Sequence, residues 1–210
     1  MRITKFGHAC VRIEHDGTTV VIDPGGFTGP EAVAGGVDAV LITHEHFDHY
    51  QPEHLLAANA PVFTIGAVAE KVRADAPDLP VTVVGPGDTF DIGLPVRAVG
   101  EMHAVIHPEF EQITNSGYVL TLGDTKVYHP GDALTEPGEA VDILLAPSSA
   151  PWLKASEAVD FVRAVKAPLN LAIHDRIYTE AAHGVLEQHM NAFLPQEGLS
   201  YVRLPDGQDL

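Results

Sequence analysis

The stretch Thr43-His44-Glu45-His46-Phe47-Asp48-His49 places three histidines and an aspartate within six residues, from His44 to His49. Imidazole nitrogens and carboxylate oxygens are the donors that zinc, iron and manganese accept. The cluster follows the run Asp38-Ala39-Val40-Leu41-Ile42. An apolar run of this length, set between the Gly35-Gly36 pair and polar residues, reads as a buried strand. The donors therefore fall where a strand ends and the chain turns, so a rigid element can aim them at one point. Packing gives no reason to gather such groups, and each would be costly if buried without a partner. A solvated loop that happens to be His-rich is the alternative, but a His-rich tract is itself a metal signal.

Further candidates stand singly. His103 closes the strand-like region that ends Glu101-Met102-His103, and His174 follows the run 169–173. A lone strand-end histidine is more often satisfied locally than a ligand; the cluster upstream raises His103 above that expectation. Gly131 permits a tight turn after Pro130, and Asp132 projects beyond it. A carboxylate has two oxygens, so Asp132 has one for each of two metals. His8, at the first turn, and Asp23, before Pro24-Gly25-Gly26, are either turn residues or supports and substrate contacts near a metal. His107 lies in the long connection 104–116 and Trp152 in the loop 147–152. Both are candidate substrate contacts, with an exposed loop position as the alternative for His107. Neither loop holds a lysine or arginine, so no phosphate clamp is evident; Arg176 reads as a surface charge.

The elements that must hold these residues follow from pattern. Strands are expected at 2–6, 9–14 and 18–22, the last two joined as a hairpin at His15-Asp16-Gly17. Pro52 suits the first turn of a helix over 52–58. A strand at 62–65 precedes a helix over 67–74, with Val68 and Val72 on one face. The β-branched runs 81–84, 89–92 and 96–99 read as one meander. Strands follow at 118–122 and 126–129, and alternation turns His129 away from Asp132. A strand at 141–146, a helix at 156–165 and a strand at 169–173 come next. Thr179 caps a last helix. Its stripe of Ala182, Val185, Leu186, His189, Met190 and Phe193 puts His189 at the core edge and His183 on the surface. A strand over 199–204 and a loose tail after Pro205 complete the chain. Pattern alone predicts α/β or α+β.

The spacing His-x-His-x-Asp-His at 44–49 resembles that of the metallo-β-lactamase-fold hydrolases. The likeness extends to the start, residues 3–14 and Val20-Val21-Ile22-Asp23-Pro24, and to His103, Pro130-Gly131-Asp132 and Ile173-His174 in that order. The N-terminal run is similar to the ascorbate-6-phosphate lactonase-like branch of small metal-dependent hydrolases. These landmarks are specific for the superfamily and weak for the substrate. The resemblance implies a four-layer αββα sandwich in a single domain over 1–210. It implies that His44, His46 and His103 bind one metal, that Asp48, His49 and His174 bind a second, and that Asp132 bridges them. A hydroxide held by the two divalent ions would then attack a small ester, lactone, phosphodiester or amide, with Asp48 or Asp132 moving the proton. Nitrogen and oxygen ligation without cysteine suits zinc first, then manganese or iron. The competing readings are an iron-dependent oxidoreductase on the same ligands and a non-catalytic metal-binding protein. The first lacks an appended flavodoxin-like domain and a second cysteine.

Composition narrows the partners. The 210 residues carry 12 Lys and Arg against 29 Asp and Glu, a formal charge of −17. A surface this acidic repels nucleic acid and anionic lipid, so a small-molecule substrate is expected and nucleic acid is not. No apolar run reaches the roughly 18 residues of a membrane-spanning helix. The start lacks a secretory pattern, and Cys10 alone cannot form an internal disulfide, which fits a cytoplasmic location. The first strand, as a sheet edge, is a candidate for pairing with a second subunit.

Overall fold

Fourteen short strands sort into two seven-stranded sheets in the computed structural model, which describes residues 1–210. The first sheet runs β14 (Gln208–Asp209), β1 (Arg2–Lys5), β2 (Val11–His15), β3 (Thr18–Ile22), β4 (Ala39–Ile42), β5 (Val62–Thr64) and β6 (Val81–Val83). The second runs β13 (Ser200–Val202), β12 (Leu169–Ile173), β11 (Ile143–Pro147), β10 (Thr125–His129), β9 (Gly117–Leu122), β8 (Pro95–Val99) and β7 (Thr89–Asp91).

Strand alternation sends side chains to opposite faces, and each face has a partner. Ile13, Ile22 and Leu41 of the first sheet meet Leu120, Leu145 and Leu171 of the second in the central core. Val40, Ile42 and Val62 turn outward against α1 (Pro52–Ala58) and α2 (Gly66–Asp75), through Leu55, Val68 and Val72. On the far side, Tyr128, Leu144 and Ala146 pack under α3 (Ala155–Val165) and α4 (Glu180–Phe193), through Val159, Val162, Leu186 and Met190. The order of layers is αββα, as the resemblance implies.

Three local expectations are corrected. The runs at 81–99 do not form one meander. β6 pairs parallel with β5 in the first sheet, while β7 and β8 pair antiparallel in the second. The Gly85-Pro86-Gly87 turn carries the chain across. β-branched runs look alike in sequence, and the choice of partner strand is non-local.

In α4 the two histidines exchange places: His183 is buried and His189 exposed. The helix buries His183, Leu186 and Met190 and leaves Val185 and Phe193 half-exposed. His183 is tolerated inside because its Nε2 reaches the Asp175 carbonyl at 2.9 Å.

The tail is not loose. β14 pairs antiparallel with β1, with Thr4 opposite Asp209. Arg2 Nε donates to Asp209 at 2.9 Å and Thr4 Oγ1 donates to it at 2.6 Å. The edge of β1 that was a candidate for subunit pairing is thus covered from within the chain.

One side chain ties the sheets together at the end that matters. Tyr118 of β9 is fully buried, and its hydroxyl donates to the Ile42 carbonyl at 2.8 Å, one residue before the His-rich turn. Replacing Tyr118 by Phe should cost about 1 kcal/mol. The check is a urea midpoint that falls with an unchanged m-value; an unshifted midpoint would remove the tie from the description of the fold.

Candidate metal centre

The turn after β4 is braced from beneath. A Cβ at Gly25 would lie 1.9 Å from the Asp48 carbonyl oxygen, so only glycine admits the close approach of the two loops. Gly26 N donates to the Phe47 carbonyl at 2.7 Å, which holds the loops in register. Across the cleft, Gly131 has φ +64°, and a Cβ there would meet Asn115 Oδ1 at 2.2 Å. Asn115 clamps that turn: its Nδ2 donates to the Pro130 carbonyl and its Oδ1 accepts from Asp132 N. Of the six non-glycine residues held in the left-handed region, three lie here: His8 at φ 52°, Asp23 at 48° and His174 at 53°. Such conformations cost of order 1–3 kcal/mol each and cluster where a side chain must be aimed. Here all three surround one point, and His174 N donates to the His8 carbonyl at 2.8 Å.

Two groups of side chains converge, each with donor atoms within 4.8 Å of one another: His44, His46, His103 and Asp132; and His8, Asp48, His49 and His174. Asp132 joins them. Its Oδ1 lies 3.2 Å from His49 Nε2, and its Oδ2 lies 3.4 Å from His103 Nε2 and 3.1 Å from His174 Nε2.

Hydrogen bonds on the far side of each ring assign its proton. His49 Nδ1 donates to Asp23 Oδ2 at 2.7 Å, His103 Nδ1 to the Ala104 carbonyl at 2.6 Å, and His174 Nδ1 to the Ser149 carbonyl. Thr43 Oγ1 donates to Asp23 Oδ2 and therefore accepts from His44 Nδ1 at 3.0 Å. Each of these rings then aims Nε2 inward. His46 presents Nδ1, 3.0 Å from His44 Nε2. His8 is reversed. Its Nδ1 accepts from Arg176 N, so Nε2 carries the proton and donates to Asp48 Oδ2 at 2.9 Å.

The fit to cations rests on what is left over. His49 Nε2, His103 Nε2, His174 Nε2 and Asp132 Oδ1 are buried and lack any hydrogen-bond partner. The contacts to Asp132 are close in distance but off the direction of a hydrogen bond. Inward nitrogen lone pairs around a carboxylate are the donor set of a divalent transition metal, and their outer nitrogens are anchored as metal-binding histidines require.

Protonation follows from burial and neighbours. Burial, reinforced by His49, holds His44 well below the ordinary imidazole range, and burial with His103 lowers His46. Burial brings His8 down to about 4 despite its bond to Asp48. For His49, burial opposes the charge, but Asp132 and Asp23 outweigh it and raise the ring well above the ordinary value. Burial also opposes charge on His174, and Asp132 again prevails. The carboxylates respond in kind. Burial opposes ionisation of both, yet His8, His49 and His174 bring Asp48 down to about 2, and His174 and His49 hold Asp132 well below its usual range.

Most expected site residues converge. His44, His46, Asp48, His49, His103, Asp132 and His174 share the cavity. Asp23 and His8 abut it as supports. Trp152 reaches in, its Nε1 donating to Asp132 Oδ2 at 3.1 Å. His129 turns away, its Nε2 donating to the Ala9 carbonyl. His107 does not join the cluster. It is exposed, accepts from Glu109 N and packs on Phe110. Pattern reasoning missed Thr43, Asn115 and Ser149. Only adjacency to His44 could have marked Thr43; the other two act through contacts distant in sequence.

A raised folded-state pKa makes the His49 and His174 ion pairs stabilise the metal-free protein fully below about pH 6.5, the ordinary histidine value. That contribution is lost as pH rises through the raised values. Cation binding must displace those protons. Imidazole ¹⁵N spectra of metal-free protein at pH 7 should show His49 doubly protonated and His8 neutral, with zinc converting His49 to the singly protonated ring. A neutral His49 before zinc would contradict this electrostatic picture.

Comparison with known proteins agrees with the geometry. The family profile described as a beta-lactamase superfamily domain matches residues 2–174. The protein Rv0786c of Mycobacterium tuberculosis is 42% identical over 196 residues, covering 88% of this chain and 89% of that protein. A UPF0173 metal-dependent hydrolase of Salinibacter ruber is 32% identical over 166 residues, covering 70% and 72%. The fold is similar to that of Igni18, a metallo hydrolase from Ignicoccus hospitalis, with TM-score 0.79, 17% identity and coverage of 100% of this chain and 97% of that one. It is also similar to CmlA, a diiron beta-hydroxylase from Streptomyces venezuelae, with TM-score 0.80, 17% identity and coverage of 100% and 53%. At such identities the structural likeness speaks to the fold alone, whereas the profile and the sequence relatives fix the family. The chain belongs to the beta-lactamase superfamily, among its metal-dependent hydrolases.

Proposed function

We propose that this hydrolase uses two divalent cations, zinc by preference, to cleave a small ester, lactone, phosphodiester or amide. His44, His46 and His103 would hold one ion and Asp48, His49 and His174 the other, with Asp132 shared between the two groups. The observation that carries this reading is the set of buried donors without partners around Asp132. When bound, such a pair polarises a substrate oxygen and lowers the pKa of a water toward about 7.

The chain's own groups do the rest. Asp23 and the Ala104 and Ser149 carbonyls fix the faces of His49, His103 and His174, so no reorganisation is needed during reaction. Trp152 Nε1–H holds Asp132 Oδ2 and orients that carboxylate. His8 Nε2–H donates to Asp48 Oδ2 and orients that carboxylate. Asp48 would take the proton of the attacking water and pass it to the leaving group. With a pKa of about 2 it is a weak base, so it relays the proton and does not store it.

The likeness in fold to a diiron hydroxylase keeps iron chemistry as the second reading. Zinc-loaded protein assayed on p-nitrophenyl esters, lactones and bis(p-nitrophenyl) phosphate separates the two. Hydrolysis without added reductant is expected, and Asp48→Asn should lower kcat by about 10²–10⁴. Turnover only in iron-loaded protein with a reductant would favour the oxidoreductase. Full metal loading with no turnover of any kind would leave a metal-binding protein.

A further inference from the structure

Exposed apolar side chains from three separate segments, at Phe27, Phe47 and residues 105–110, stand beside the centre. Phe27 stands edge-on to His8 at 5.1 Å and to Phe47 at 5.2 Å. His8 in turn touches Asp48 and lies tilted against His174, ring centres 3.9 Å apart. On another side, a small cavity of about 50 Å³ is lined by His46 and His103 and by the following loop, with Val105, Ile106 and Phe110 beside His107, Glu111 and Gln112. Phe47 and Phe110 are 62% and 67% exposed, and Phe27, Val105 and Ile106 are exposed with them. A surface of formal charge −17 that gathers five large apolar side chains beside one polar centre is not a random solvent face.

Charge at the mouth points the same way. The loop 104–116 holds Glu109 and Glu111 and no lysine or arginine. Arg176 follows His174 by two residues, and its guanidinium is engaged by Asp206 while its backbone serves His8. Lys154, beyond Trp152, is paired with Glu157 at 2.9 Å. No free cation is left to hold a phosphate or a second carboxylate.

From this we infer that the substrate is a neutral acyl compound, an ester, lactone or amide, whose alkyl or aryl group lies between the Phe27–Phe47 pair and the Val105–Phe110 loop. This rests on the hydrolase reading above and narrows its four bond types by removing the phosphodiester. In the reaction, water oxygen bonds to the acyl carbon, the acyl–oxygen or acyl–nitrogen bond breaks, and a water proton goes to the leaving alcohol or amine. A carboxylic acid is the other product.

The test separates binding from turnover. Straight-chain alkyl hydroxamates, from acetohydroxamate to octanohydroxamate, are titrated into zinc-loaded protein, with fluorescence of Trp152, the sole tryptophan, as the readout. Affinity should rise about fourfold for each added methylene. Phe47→Ser with Phe110→Ser should flatten that rise while zinc content stays at the wild-type level. A flat series in the wild type, no binding, or a rise that survives both substitutions would overturn the apolar seat. A parallel assay on p-nitrophenyl acetate, p-nitrophenyl octanoate and bis(p-nitrophenyl) phosphate reads the chemistry. Preference for the octanoate is expected, and preference for the phosphate overturns the substrate class. A rising hydroxamate series with no turnover of any ester would sink the hydrolase mechanism and leave the apolar seat standing.

Discussion

A single buried carboxylate organises this molecule. Asp132 is faced by four histidine nitrogens, from His44 at 3.9 Å, His49 at 3.2 Å, His103 at 3.4 Å and His174 at 3.1 Å. They come from three other loops, belonging to both sheets. Such a constellation is unfavourable unless something pays for its desolvation. Protons on His49 and His174 do so in part, and metal ions, under the reading proposed above, would do so more completely. The rest of the structure keeps these side chains in place. The sheets bring the loops to one end, Tyr118 joins the sheets beside the His-rich turn, and Gly25 and Asn115 hold the turns close.

The site is stiff for identifiable reasons. His8, Asp23 and His174 sit in left-handed backbone conformations that an isolated chain avoids. The cost is carried by the fully buried core between the sheets and by buried hydrogen bonds such as Thr43 N to Asp23 Oδ1 at 2.8 Å. Asp23 acts through contact alone: it fixes His49 directly and His44 through the Thr43 hydroxyl. The left-handed backbone at Asp23 is therefore part of how the histidines are aimed.

The convergence of these side chains was legible in sequence because histidine and aspartate are rare residue types to gather at strand ends. The turn 43–49 showed itself by composition, and His103, Asp132 and His174 followed from their order in the family. What escaped was what no local pattern encodes. Strand β6 looks like β7 but pairs with β5, a choice made by packing across the molecule. His183 and His189 lie at the two margins of one helical stripe, and the nearby Asp175 carbonyl decided which went inside. The two-residue strand β14 is too short to have a period, yet β1 gave it a partner. Asn115 and Ser149 are ordinary polar residues in sequence and become clamps only when their loops meet Asp132 and His174. The branch of the superfamily suggested by the N-terminal run says little about substrate, because the groups that would select it lie on loops. Phe47 and Phe110 are examples: both are exposed, and neither is required by the fold.

Metal stoichiometry, by mass spectrometry on protein purified without chelator, tests the bridged centre most directly. Wild-type protein should carry about two zinc or manganese ions per chain. His46→Ala should lose one of them and Asp132→Ala should weaken both. One ion in the wild type, or two that persist in Asp132→Ala, would contradict a centre built around that carboxylate.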